Sequence, residues 1–576
     1  MLVNPAVHPP LQTQLPPNGI AKVEKASWAV EAAAKKAAQS ALIPSAWRLP
    51  STLLDTLPLD VRPVVAACGL LTARQVTITE IDEASVILTR LRNGEYSAVE
   101  VAEAFCLRAA IAHQLTNCLT EILFDAALAR AKQLDEHLAL TGEPVGPLHG
   151  LPISLKDQFD IANVDSTMGF TALIGRPAQR NSVLVDLLER LGAIIFCKTN
   201  VPQTLMAAET NNNVFGRTVN PRNRNLTSGG SSGGEGALLA LKGSILGVGT
   251  DYGGSIRVPS HCCGLYGLRP TTRRLPYAGV TNVMKGYEGM ESTIGPMARS
   301  IDSLEVFMRA VVGAEPWLFD AKTVERPWRR STLELTKKLH IAFALDNGLV
   351  HSHPPIRRAI NETVAALARA GHQVTPLQGI DWREARDLVG LISGADGGAD
   401  LRSFLSSGEP VISEAFPFAA STSLTVHELS QLMQRRDAFR QDFLRLWRES
   451  AKMSDEGRPF DLVVCPVTTH LAWPHLGRPQ DSELITWTTT WSLLDLPACT
   501  VPVGELDPLK DAPYPPPEAF FSQQDQRHWD SYAPETFENA PLVVQLVNPR
   551  RFREDELLAM ARVVEEAVCG GQGEEQ

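Results

Sequence analysis

Seven short runs along this chain are apolar at nearly every position, and amphipathic helical stretches separate them. The runs cover residues 151–155, 193–197, 244–249, 339–345, 462–466, 498–503 and 542–547. A strand that alternates apolar and polar residues can leave one face in water, but a strand apolar on both faces must be covered on both. The helical stretches supply the cover. Ile81, Ala84, Ile87, Leu88 and Leu91 recur at helical spacing, residues 98–113, 126–138 and 183–191 continue as helices, and Ile356, Ile360, Val364 and Leu367 share one helix face. The pattern predicts an α/β fold: a large mixed, mostly parallel β-sheet with helices on both faces. No internal repeat interrupts it.

Composition narrows the function classes. Hydrophobic residues make up 44% and charged residues 21% of 576, enough for a large core. The net charge of −11 comes without any basic block or aromatic-interleaved Lys/Arg tract, so no nucleic-acid partner is expected. Nine scattered cysteines, an odd number without a C-x-x-C pair, argue against a disulfide framework or zinc knuckle and fit a reducing, cytoplasmic setting. The proline-rich residues 1–19 lack the charge and apolar core of a signal peptide, and no run approaches the ~18 apolar residues of a spanning helix.

Residues 1–75 read as an N-terminal extension, disordered at first and then helical, and residues 76–570 as the catalytic domain. Residues 571–576 form an acidic tail. Within the domain, residues 403–452 are polar and free of strand signals, which predicts a helical insertion or lid. Alternating charges over 428–452 describe a solvated helix face, so membrane contact is not expected there.

Three motifs carry chemistry. The first, Ser228-Gly-Gly-Ser-Ser-Gly-Gly-Glu-Gly-Ala237, is too closely followed by a helix and a strand to be a linker. It has the glycine spacing of a phosphate-binding loop, but Glu235 stands where that loop needs lysine and would repel phosphate. Gly229-Gly-Ser231-Ser-Gly233 also matches the G-x-S-x-G elbow of an α/β-hydrolase-type esterase, a rival that needs an acid and a histidine downstream.

The second motif, residues 249–259, follows an apolar strand, with Gly253 and Gly254 just before Ser255. Consecutive amides there can aim at one point while a serine oxygen attacks a carbonyl, and Asp251 and Arg257 can pair to brace the turn. The third, residues 150–157, sets Lys156 at the end of a mostly buried strand, where a lone lysine is ordinarily a surface residue.

Together the three segments resemble the amidase signature family, in that family's order and spacing. Lys156 and Ser231 lie 75 residues apart, and Ser231 and Ser255 lie 24 apart. CKTNVPQ at 197–203, FGRTVNP at 215–221, GLRPT at 267–271, GPMARS at 295–300 and PLVVQLV at 541–547 also fit. The resemblance covers roughly residues 76–570, and the chain looks most like fungal general amidases of the acetamidase type.

The resemblance implies that Ser255 is the nucleophile that forms an acyl-enzyme, Ser231 the bridging serine after a cis Gly230–Ser231 bond, and Lys156 the base. It implies oxyanion donors at Tyr252, Gly253, Gly254 and Ser255, and an acyl pocket lined by Leu205, Met206 and Ala207. Ser232, Asp251 and Arg257 are expected to be structural neighbours of the site. No metal or organic cofactor is implied, and the substrate is a small-molecule amide, aliphatic or aryl. A fatty acid amide hydrolase-like enzyme, a glutamine-dependent amidotransferase subunit and a thiol amidase on Cys262 or Cys263 remain as alternatives. A homodimer follows from the family alone. The proposed base must be neutral, and moving a lysine pKa from about 10.4 to near 7 takes about 4.6 kcal/mol, which burial can supply.

Overall fold

The computed structural model describes residues 21–329, 338–412, 423–475, 482–513 and 515–571. The expected disorder of residues 1–19, most of the tail at 571–576 and part of the expected insertion at 403–452 lie outside them.

One sheet of 11 strands runs through the molecule. The strands are β1 (Leu119–Ile122), β2 (Pro152–Lys156), β3 (Ile194–Thr199), β4 (Leu246–Asp251), β5 (Tyr266–Arg269), β6 (Thr293–Ala298), β7 (His340–Phe343), β8 (Gln373–Pro376), β9 (Leu462–Pro466), β10 (Ala498–Glu505) and β11 (Pro541–Val547). Their spatial order is β1-β3-β2-β4-β6-β5-β10-β11-β9-β7-β8. The sheet is mixed, as expected, but parallel pairing does not dominate. It is confined to β3-β2-β4 and β9-β7-β8, and the six other ladders are antiparallel.

Side-chain alternation shows why these strands are apolar throughout. Ile341, Leu462, Val464, Val544 and Leu546 point into one core with the helix Pro354–Arg369. Ala342, Val463, Cys465 and Val547 point into the opposite core, against the helices Trp382–Ser393, Val426–Glu449 and Thr486–Leu493. Each strand thus feeds two cores. The polar stretch near 428–452 is the helix Val426–Glu449, which buries only Leu432, Phe439 and Phe443; most of its charges are exposed, while Arg436 and Arg440 fold back onto the Gly289 and Leu493 carbonyls. Among the described residues no helix is long and apolar enough to cross a membrane.

The helical reading of 81–91 holds from Ala84 onward but not at Ile81. A Thr72/Gln75 capping box starts one helix, Ala73–Thr79, and a second, Ala84–Arg92, follows after a break. Four strands, β1, β5, β6 and β8, carry no strong apolar run and were not expected. The described part of the extension is helical and docked: the Leu49 N–H donates to Gln114 Oε1 at 2.8 Å and the Val61 N–H to the Pro221 carbonyl at 2.9 Å.

The site is fixed by β2 and β4, neighbours that run parallel with Leu155 opposite Val248. Their carboxyl ends, Lys156 and Thr250–Asp251, therefore emerge side by side. The buried helix Gly233–Ala240 packs on both strands and sets its N-terminal loop beside those ends.

Candidate active site

Lys156 is fully buried. Its Nζ donates to Ser231 Oγ at 2.7 Å and to Thr250 Oγ1 at 2.8 Å. Thr250 Oγ1 donates onward to Gln158 Oε1 at 2.7 Å, so the amine is held from two sides. Burial pushes the Lys156 pKa down to about 7, against the opposing charges of Asp251 and Glu235. Glu235 is also fully buried, accepting hydrogen bonds from Ser154 Oγ at 2.6 Å and Thr199 Oγ1 at 3.0 Å. Burial raises its carboxyl to about 8. Both groups are thus driven toward their neutral forms.

The peptide bond Gly230–Ser231 is cis. Gly230 lies against the chain at 207–209, where a Cβ would sit 2.6 Å from the Ala207 carbonyl oxygen. Ser232 starts the helix Gly233–Ala240, and its N–H donates to the Ser255 carbonyl at 3.2 Å, which ties the two serine loops together.

The Ser255 turn is braced from below. The Asp251 carboxylate accepts from the Gly254 N–H at 2.7 Å, the Ile256 N–H at 3.1 Å, and Arg257 Nε and Nη2 at 3.0 and 2.9 Å. Burial alone would raise this carboxyl, but the Arg257 guanidinium outweighs it and holds the group below the usual carboxylate range. Arg257 reaches further, to Gln545 Oε1 and Ser492 Oγ, both at 2.8 Å. Of the four amides expected to converge, Gly254's is therefore engaged inside the turn. The amides of Tyr252, Gly253 and Ser255 carry no hydrogen bond among the described residues.

Ser231, Ser255, Thr250 and Gln158 line one cavity of about 490 Å³. A second, of about 50 Å³, adjoins it, sharing Leu205, Met206, Tyr252 and Ser255. Leu205, Met206, Ala207, Ala208, Ile485 and Thr489 wall it beside Tyr252–Gly254. Thr204 and Leu205 both adopt positive φ, a sharp turn at that wall. Ser255 Oγ makes no side-chain hydrogen bond among the described residues, so its link to Ser231 is not closed, as is common without substrate.

Sequence reasoning missed Thr250 as a partner of the lysine, Gln158 as the group that holds Thr250, Glu235 as a nearby buried carboxyl, and Thr488, whose hydroxyl donates to the Gly253 carbonyl at 2.6 Å. A polar residue at the end of a strand apolar elsewhere was the available signal for the first two. The rivals fare less well. No histidine lines either cavity at Ser255. Cys262 and Cys263 are fully buried on the helix Arg257–Cys263, outside both cavities, with thiols that burial pushes up.

Residues 100–558 match the family model described as Amidase. The chain belongs to the amidase family. It is 40% identical over 551 residues to an acetamidase of Emericella nidulans, covering 93% of this chain and 98% of that one. An acetamidase of Aspergillus oryzae is 37% identical, with 94% and 98% covered. Among solved structures, a fatty acid amide hydrolase superposes with a TM-score of 0.88 at 32% identity, over 95% and 96% of the two chains. This amidase is an amide-hydrolysing enzyme with the amidase signature fold.

Proposed function

We propose that this amidase hydrolyses small aliphatic carboxylic amides through an acyl-enzyme on Ser255, with Ser231 and Lys156 as its proton relay. The observation that carries the reading is the Lys156 amine, wholly buried, 2.7 Å from Ser231 Oγ in the cavity that Ser255 also lines. A serine hydroxyl attacks only when a base takes its proton. Here the proton passes from Ser255 Oγ to Ser231 Oγ as Ser231 hands its own to neutral Lys156. The Ser255–carbon bond forms, and the carbonyl electrons move onto oxygen. Lys156 then returns a proton through Ser231 to the departing nitrogen, and the C–N bond breaks to release ammonia or amine. Water repeats the sequence against the ester and frees the acid. The open amides of the Ser255 turn face the developing oxyanion.

The 50 Å³ pocket supports a short acyl group; an enclosed apolar cavity of about 150 Å³ holds benzene. The relatives named acetamidase lie in the same direction. The larger, open cavity leaves room for the departing amine and the incoming water.

The test is ammonia release from straight-chain amides of increasing acyl length, with wild type and Ser255→Ala. Acetamide and propionamide should be the best substrates by kcat/KM, and Ser255→Ala should lose turnover together with fluorophosphonate labelling. Labelling that persists in Ser255→Ala would move the nucleophile elsewhere. A kcat/KM that climbs steadily to long-chain acyl groups would overturn the short-acyl reading.

A further inference from the structure

Away from Ser255, three histidines from separate parts of the chain meet in the interior. His353 precedes the helix Pro354–Arg369, His470 lies in the loop after β9, and His528 is on the helix Gln523–Asp530. Their exposures are 0%, 3% and 5%. The His353 ring centroid is 4.1 Å from that of His470 and 4.4 Å from that of His528. One ring nitrogen of each falls within 4.8 Å of the others.

The hydrogen bonds decide which nitrogens carry lone pairs. His353 Nε2 donates to the His528 carbonyl at 3.2 Å, His470 Nδ1 to the Leu471 carbonyl at 2.7 Å, and His528 Nε2 to the Thr469 carbonyl at 3.2 Å. A ring nitrogen facing a carbonyl must bear the hydrogen, so in a neutral ring the opposite nitrogen is the acceptor. Those opposite atoms are His353 Nδ1, His470 Nε2 and His528 Nδ1. None has a hydrogen bond among the described residues, and His353 Nδ1 is sealed from solvent.

We propose that His353, His470 and His528 bind one zinc-class divalent cation, a structural ion that staples three segments of the chain. Neutral imidazoles suit zinc and its neighbours in the transition series. A ligating histidine characteristically gives its second N–H to a carbonyl or carboxylate, and all three rings do so. Zn–N bonds of about 2.0–2.1 Å around a tetrahedral ion set ligand nitrogens about 3.4 Å apart. The nitrogens of the observed cluster, within 4.8 Å of one another, would have to draw together by more than about 1 Å on binding. Asp525, a buried carboxylate one turn before His528 and held by His351 Nδ1 at 2.7 Å, supplies negative charge nearby.

None of the three histidines lines the cavities at Ser255. The His470 loop does run on to Trp473, whose carbonyl accepts from the Thr227 N–H at 2.8 Å, just before the Ser228–Ser232 loop. The ion would anchor that loop from behind without touching the reaction, so the expectation of metal-free chemistry stands apart from it.

Metal analysis of the full chain, expressed with added zinc and desalted, should find one equivalent per chain. Chelator should strip it and lower the thermal midpoint, and Zn2+ should restore both. Amide hydrolysis well below that midpoint should stay unchanged. His353→Gln and His528→Asn should each weaken Zn2+ binding by more than the about 10–100-fold that outer partners are worth. If neither variant folds, titration of chelator-treated wild type with Co2+, read by the visible bands of a tetrahedral site, decides alone. Absence of bound metal in wild type after Zn2+ and Co2+ titration would overturn the proposal. So would full stoichiometry in His353→Gln.

Discussion

At the residue scale the proposed chemistry turns on one amine and the two hydroxyls that accept its hydrogen bonds. If neutral Lys156 is the base, kcat/KM should fall as pH drops through about 7, because protonation then removes the acceptor. Lys156→Met should cost several orders of magnitude in kcat/KM and abolish that limb. Thr250→Val separates positioning from mere packing. Thr250 Oγ1 accepts from the amine and so favours its charged form. Its loss should move the limb to lower pH while lowering kcat, and an unmoved limb would assign the titration to another group. The two serines and the lysine were legible in the sequence because three short motifs fix their identity and order. Thr250, Gln158 and Glu235 were not, because their roles depend on β2 and β4 lying in parallel register, which neither motif encodes alone.

At the scale of elements, the Ser255 turn shows how backbone shape is held. Gly254 has φ +140°, and a Cβ there would sit 2.6 Å from Thr488 Oγ1. Thr488 in turn holds the Gly253 carbonyl. If the open amides of this turn serve the oxyanion as proposed, Gly254→Ala should displace them and cut kcat by about 10²–10³, the scale of a lost oxyanion donor. Circular dichroism should remain native. Adding Thr488→Ala should recover part of the loss by removing the clash, and no recovery would place the fault elsewhere. The strands that form this frame were visible where both faces are apolar, as in β9 and β11. They were hidden where pairing, not composition, makes the strand. The six residues of β6 include Gly295 and Pro296 yet lie between β4 and β5. β8 has only Gln373–Pro376 at the sheet's rim.

At the scale of the whole molecule, an open sheet of this width has two edges to protect, and the N-terminal extension guards one. β1 lies at the rim with a register shift between Leu119 and Glu121. That shift turns two successive carbonyls, Leu119 and Thr120, toward Gln39 Nε2, which donates to them at 2.7 and 3.0 Å. Lys35 sits over the same strand, 2.6 Å from Glu121 and 2.9 Å from Asp165. Among its described side chains, the helix Ala21–Ala41 has Ala32 buried at 5% exposure and Trp28 half-buried, while Val30 is 67% exposed. Its value to the fold is thus polar cover for a strand edge, which otherwise invites pairing with another chain. A chain lacking residues 1–42 should still hydrolyse amides when freshly diluted, since none of the described residues 21–42 lines the cavities at Ser255. It should unfold at a lower temperature and form larger species as concentration rises, seen by light scattering. Gln39→Ala should show the same trend more weakly. A truncated chain that stays monodisperse would mean that β1 needs no cover, and that the helix serves something other than the sheet beneath it.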